Sequence, residues 1–167
     1  AELYENGKQV TDLNGRLLSE LELSTPIAHS FTSRGGVTID GWAMKPIGYE
    51  PGKKYPAILH IHGGPRTVFS EVFHQEMQLW AANGYFVFYC NPRGSDGRGN
   101  AFGDLCGKYG SIDYEDLMDF ADEMLRQYPD ADEKRFGVGG GSYGGGLFAL
   151  CMLAVCLVWM LRARHPH

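Results

Sequence analysis

The residues best suited to chemistry in this chain are Gly140-Gly141-Ser142-Tyr143-Gly144, a G-x-S-x-G spacing. A serine hydroxyl is a weak nucleophile until it is held clear of the backbone and beside a base. A sharp strand-to-helix turn does the holding, and Gly140 and Gly144 leave room for the close backbone approach such a turn requires. The serine would also open a helix, whose first N–H groups favour developing negative charge. The bland alternative is a glycine-rich turn with a helix-capping serine; a strand predicted before the motif and a helix after it favour the elbow. A phosphate-binding reading also fits the glycines, since Gly139, Gly141 and Gly144 match G-x-G-x-x-G. That fingerprint needs an acidic residue about 20 positions on to hold a ribose. No Asp or Glu follows Glu133, so it fails.

A second motif, His62-Gly63-Gly64-Pro65, directly follows the apolar run Ala57-Ile58-Leu59-His60-Ile61-His62. In α/β-hydrolases the loop at this place donates one oxyanion N–H, and the residue after the nucleophile donates the other. Gly64 and Tyr143 are thus the candidate donors. His62 reads as a structural loop histidine rather than a base. His60 reads as a core or interlayer residue on the opposite side of its strand from His62.

The elements that must position these motifs follow from periodicity. Residues 1–24 read as a short hairpin and a polar, turn-rich segment. Residues 28–33 and 37–45 read as an antiparallel strand pair joined by Arg34-Gly35-Gly36. Residues 57–62 and 85–90 are apolar runs fit for buried strands, and 135–140 is a glycine-rich third. Between them, residues 71–83 suggest a helix with Phe73, Met77 and Trp80 on one face. A loop over 91–110 carries six glycines. Ser111 then begins a second helix with Asp113, Glu115 and Asp116 near its start. Its apolar face is Tyr114, Leu117, Ala121, Met124, Leu125 and Tyr128. Residues 147–161 read as a third helix. Strand, helix, strand, helix, strand, helix predicts parallel βαβ units and an α/β fold.

Composition sets outer bounds. The 167 residues suffice for one domain with a sizeable core, and 44% hydrophobic with 21% charged residues is a globular balance. A formal charge of −5 without a Lys/Arg stripe argues against nucleic acid as a partner. Cys90, Cys106, Cys151 and Cys156 form no C-x-x-C pair and read as buried free thiols of a reducing cytosol. The first residues lack an apolar signal segment, which points to a cytoplasmic location. The motifs call for no metal or cofactor.

Taken in order, Ile39-Asp40-Gly41-Trp42, His60-Ile61-His62-Gly63-Gly64-Pro65-Arg66, Asn91-Pro92-Arg93-Gly94-Ser95, Tyr114-Glu115-Asp116-Leu117-Met118 and Gly140-Gly141-Ser142-Tyr143-Gly144-Gly145 resemble the prolyl oligopeptidase family. The resemblance covers roughly residues 30–146 and is nearest to the acylaminoacyl-peptidase and dipeptidyl-peptidase-like branches. It implies an α/β-hydrolase fold in three layers with a mostly parallel sheet. It implies a serine peptidase of short peptides, with Ser142 as nucleophile and Gly64 and Tyr143 as oxyanion donors. It also implies that residues 1–24 are a connector and last strand of a β-propeller absent here, and that residues 25–167 are part of the catalytic domain.

The chain departs from that pattern after Ser142. The expected triad order is Ser, then Asp or Glu, then His. Only 25 residues follow Ser142, none acidic, and His165 would lie roughly 35 Å along a helix from it. The expectation is a domain ending after the nucleophile helix and inactive alone: either part of a peptidase or a catalytically dead fragment. An esterase is the runner-up chemistry. The apolar run 146–161 is short for a membrane span and fits a buried helix better. An open sheet edge would favour homo-oligomers. Arg93, Asp96 and Arg98 read as a salt-bridged loop.

Overall fold

The computed structural model describes residues 2–64 and 66–146. The helix expected over 147–161, the histidines His165 and His167, and Cys151 and Cys156 lie outside the described residues.

The first residues form a hairpin of β1 (Tyr4–Glu5) and β2 (Lys8–Gln9), turned by Asn6 and Gly7, both at positive φ. A one-turn helix, α1 (Gly15–Ser19), follows where the sequence signalled only turns; it buries nothing. This segment is held chiefly to itself. The Glu2 carboxylate accepts hydrogen bonds from Thr11 and from the backbone of Leu13 and Asn14, which lowers its pKa to about 2.

The main sheet comprises β3 (Ile27–Thr32), β4 (Thr38–Met44), β5 (Tyr55–Ile61), β6 (Phe86–Asn91) and β7 (Ala131–Gly140). Two helices of more than one turn connect its strands: α2 (Gln75–Ala82) between β5 and β6, and α4 (Ile112–Gln127) between β6 and β7. The short α3 (Asn100–Gly103) lies in the glycine-rich loop between β6 and α4. The strand order is β3-β4-β6-β5-β7. β5 pairs in parallel with both β6 and β7, while β3 and β4 join antiparallel at one edge. The parallel sheet expected from the βαβ pattern is thus the three-strand part of a mixed sheet. The reason is connection length: β3 and β4 are joined by a short turn, which permits only antiparallel pairing.

Three layers result. β6 is buried along its whole length, and its side chains alternate. Phe86, Phe88 and Cys90 face α4 with Ile39, Leu59, Leu117, Phe120 and Met124. Val87 and Tyr89 face α2 with Met44, Phe69, Met77 and Ala81. Gly41 lets β4 pass under the Phe120 ring, where a Cβ would collide with the aromatic edge.

Several details differ from the periodicity. α2 begins at Gln75, because His74 is extended, so Phe73 lies before the helix and is 51% exposed. In α4, Tyr114 turns outward and Phe120 takes the core place. Ser111 precedes α4, but its hydroxyl donates to the Lys108 carbonyl and does not cap the helix. Asp113 and Asp116, placed by the sequence near the helix start, are fully buried.

Candidate functional site

β5 and β7 are parallel and in register, Ile61 opposite Gly140, so the loops leaving them emerge together at one end of the sheet. The chain leaves β7 by a tight turn in which Ser142 has φ of 54°. That left-handed conformation is costly for a residue with a Cβ and holds the side chain away from the backbone. The Ser142 carbonyl accepts the Gly146 N–H at 3.0 Å, so the serine opens the helical turn at 143–146. Gly140 and Gly144 both lie against the carbonyl oxygen of Ile61, where any Cβ would overlap it. A side chain at either position would thus collide with the end of β5.

The loop after β5 lies across from the serine. A side chain at Gly63 would touch the Ser142 Cβ at 3.4 Å, and one at Gly64 would touch Tyr143 at 3.8 Å. The loop thus lies in van der Waals reach of Ser142 and Tyr143. Among the described residues, neither the Gly64 N–H nor the Tyr143 N–H is donated to a hydrogen bond. The Ser142 hydroxyl is exposed and also has no partner there.

His62 is buried, and both its ring nitrogens are engaged: Nδ1 lies 2.6 Å from the Gly63 carbonyl and Nε2 lies 2.8 Å from the Ser95 hydroxyl. Burial pushes its pKa down, against a smaller upward pull from the Gly63 carbonyl. The structural reading of His62 is correct. His60 does not point away from it. Both rings pack on Phe69, at centroid distances of 5.4 and 5.1 Å, because residues two apart share a face of an extended chain.

Sequence reasoning left Asn91, Ser95 and Asp116 without roles. The Asn91 amide bridges the backbone of Phe69, accepting from its N–H at 2.8 Å and donating to its carbonyl at 2.9 Å. Arg93 is clamped to buried Asp116 by two side-chain bonds of 2.8 Å and by its backbone N–H at 3.0 Å. That carboxylate raises the Arg93 pKa above its ordinary value. Arg98 lies 3.9 Å from Asp40 and over the Phe102 ring, while Asp96 donates its backbone N–H to Thr67. The salt-bridged reading therefore holds for Arg93 and Arg98. For Ser95, Arg93 and Arg98 the available signal was their recurrence in one glycine-rich loop.

Tyr143 packs its ring edge-on to Tyr109 at 5.2 Å, and its hydroxyl is buried without a partner among the described residues. A cleft of about 460 Å³ lies elsewhere, beside β3 and β4, lined by Asp40, Trp42, Glu71, Asp96 and Arg98 among others. Ser142 does not line it. Among the described residues there is no cluster of three metal-ligating side chains and no helix long and apolar enough to cross a membrane. Of the cysteines, Cys90 is buried and free, its thiol pKa pushed well up by burial; Cys106 is exposed, contrary to expectation.

Comparison with known proteins agrees with this geometry. Residues 71–155, just over half of the chain, match the prolyl oligopeptidase family. The chain is 42% identical over 144 residues to the uncharacterized peptidase YuxL of Bacillus subtilis, covering 86% of this chain and 22% of that protein. It is 36% identical to dipeptidyl-peptidase 5 of Porphyromonas gingivalis, covering 81% and 20%. The Pyrococcus horikoshii acylaminoacyl peptidase structure superimposes with a TM-score of 0.83 at 38% identity, over 89% of this chain and 24% of that one. An acylaminoacyl peptidase in complex with Z-Gly-Gly-Phe-chloromethyl ketone gives 0.79 at 38% identity, over 84% and 23%. The chain spans about a fifth of these curated relatives and about a quarter of these solved ones. It belongs to the prolyl oligopeptidase family and has the α/β-hydrolase fold.

Proposed function

We propose that Ser142 is the nucleophile of a serine peptidase acting on short peptides, with the Gly64 and Tyr143 N–H groups as its oxyanion hole. The observation that carries this reading is the left-handed Ser142 facing a glycine loop whose Gly64 N–H is unused. The Ser142 oxygen attacks the scissile carbonyl carbon and its proton passes to a base. The carbonyl oxygen becomes an oxyanion, which the two N–H groups stabilise. Collapse of that intermediate breaks the C–N bond, the amine leaves with the proton, and water then cleaves the acyl-serine ester.

The proton needs an acceptor within about 3 Å of the hydroxyl. His62 is not that group, since Ser95 and the Gly63 carbonyl occupy its nitrogens. Peptides are favoured as substrates by the dipeptidyl-peptidase relatives and by the peptidyl ligand in the acylaminoacyl peptidase complex. The test is labelling with a fluorophosphonate probe, comparing wild type with Ser142→Ala. Labelling that the alanine variant loses supports the acyl-enzyme route. Equal labelling of the two, or none in wild type, counts against it for this polypeptide.

A further inference from the structure

A carbonyl oxygen only accepts hydrogen bonds, so the short contact between His62 Nδ1 and the Gly63 oxygen places the hydrogen on Nδ1. Neutral imidazole carries one N–H, and burial disfavours the charged form of His62. Nε2 is then bare and accepts from the Ser95 hydroxyl at 2.8 Å. The Gly63 carbonyl sets this tautomer, and Ser95 supports it by donating to the nitrogen left bare.

The Gly63 carbonyl and the Gly64 N–H belong to the same peptide unit. In a planar trans peptide the two point in opposite directions. Fastening the carbonyl to His62 therefore turns the Gly64 N–H away from the imidazole. The flanking glycines would otherwise let this peptide flip, since glycine populates both signs of φ. The loop carrying Ser95 is itself fixed, because Arg93 is clamped to buried Asp116 on α4. Ser95 is completely buried, and its hydroxyl is paired with the His62 ring.

The geometry points to Ser95 as a positioning residue that acts through His62 to hold the Gly64 N–H in place for the oxyanion formed at Ser142. This rests on the oxyanion role given to Gly64 above. Two readouts on the full chain test it. Long-range proton–nitrogen NMR correlation reads the His62 tautomer, and the fluorophosphonate labelling rate reads the oxyanion hole. The expected wild-type result is hydrogen on Nδ1. Ser95→Ala mixes the tautomers and slows labelling about tenfold, less than the roughly 100-fold that follows loss of a donor outright. Ser95→Thr keeps the hydroxyl and restores both, which a merely packing-related role would not do.

A wild-type His62 carrying its hydrogen on Nε2 overturns the proposal. So does Ser95→Ala, folded by circular dichroism, that labels at the wild-type rate. If wild type takes no label, the nucleophile reading fails separately and the tautomer decides: loss of the Nδ1 form in Ser95→Ala supports the positioning role, and its retention removes it.

Discussion

The corner where β5 and β7 end and the cleft beside β3 and β4 are both concave, but they are built on different principles. The cleft holds about 460 Å³, and its charged groups are open: Arg98 pairs loosely with Asp40 at 3.9 Å, both partly exposed. The serine corner is of another kind. It is made of backbone pressed on backbone, a left-handed serine and a buried histidine with both nitrogens engaged. Strain and satisfied buried polar groups persist only where the surroundings enforce them, which makes them better markers of a reaction site than space.

That contrast can be broken, and the largest effect should come from beneath the corner. Asp116→Ala leaves Arg93 unpaired against α4. It should lower stability by about 3 kcal/mol, the scale for removing one partner of a buried ion pair. Denaturant unfolding measures it, and a loss under 1 kcal/mol would mean that the clamp is dispensable. Gly144→Ala forces a Cβ into the Ile61 carbonyl and should slow covalent labelling of Ser142 about 100-fold, equivalent to about 2.7 kcal/mol. An unaffected rate would show that the elbow is looser than described.

Acid should act first through the buried histidines and only later through the carboxylates. Burial lowers the pKa values of His29, His60 and His62, so the unfolded chain takes up protons that the folded one refuses. Their stabilisation is complete above the ordinary histidine value of about 6.5 and declines as pH falls below it. Asp119, hydrogen-bonded to Arg34, is shifted below its ordinary value, as is Glu123 beside Arg126. They add a second loss as pH falls through and below about 4. Thermal melts from pH 8 to 3 should show two declines; a flat profile between 7 and 5 would remove the histidine contribution. The smallest effect belongs to the cleft. Glu71→Gln, which retains an acceptor for the Trp42 N–H, should change labelling less than about twofold. A larger change would tie the cleft to the serine.

Much of this was legible in the residue order. Gly140, Ser142 and Gly144 announce a turn that only glycines permit, and His62-Gly63-Gly64 after an apolar run announces the loop opposite. Both signals are local, because steric exclusion around a Cβ acts between atoms a few bonds or one strand apart. Strand existence was legible for the same reason: a run such as Phe86-Val87-Phe88-Tyr89-Cys90 has nowhere to go but inside.

What the sequence could not decide is which distant groups meet. Asp116 read as an acid near a helix start, and only the packing of α4 on the sheet buries it against Arg93. Ser95 looked like a loop polar residue until folding brought it to His62, 33 positions away. Tyr114 and Phe120 exchanged places because helical period defines a stripe about 100° wide but not where the sheet touches it. Residue types and short spacings determined that this chain would build a serine elbow. The tertiary structure alone decided what holds the loop opposite it, since burial and hydrogen bonding between remote segments exist only once the layers have closed.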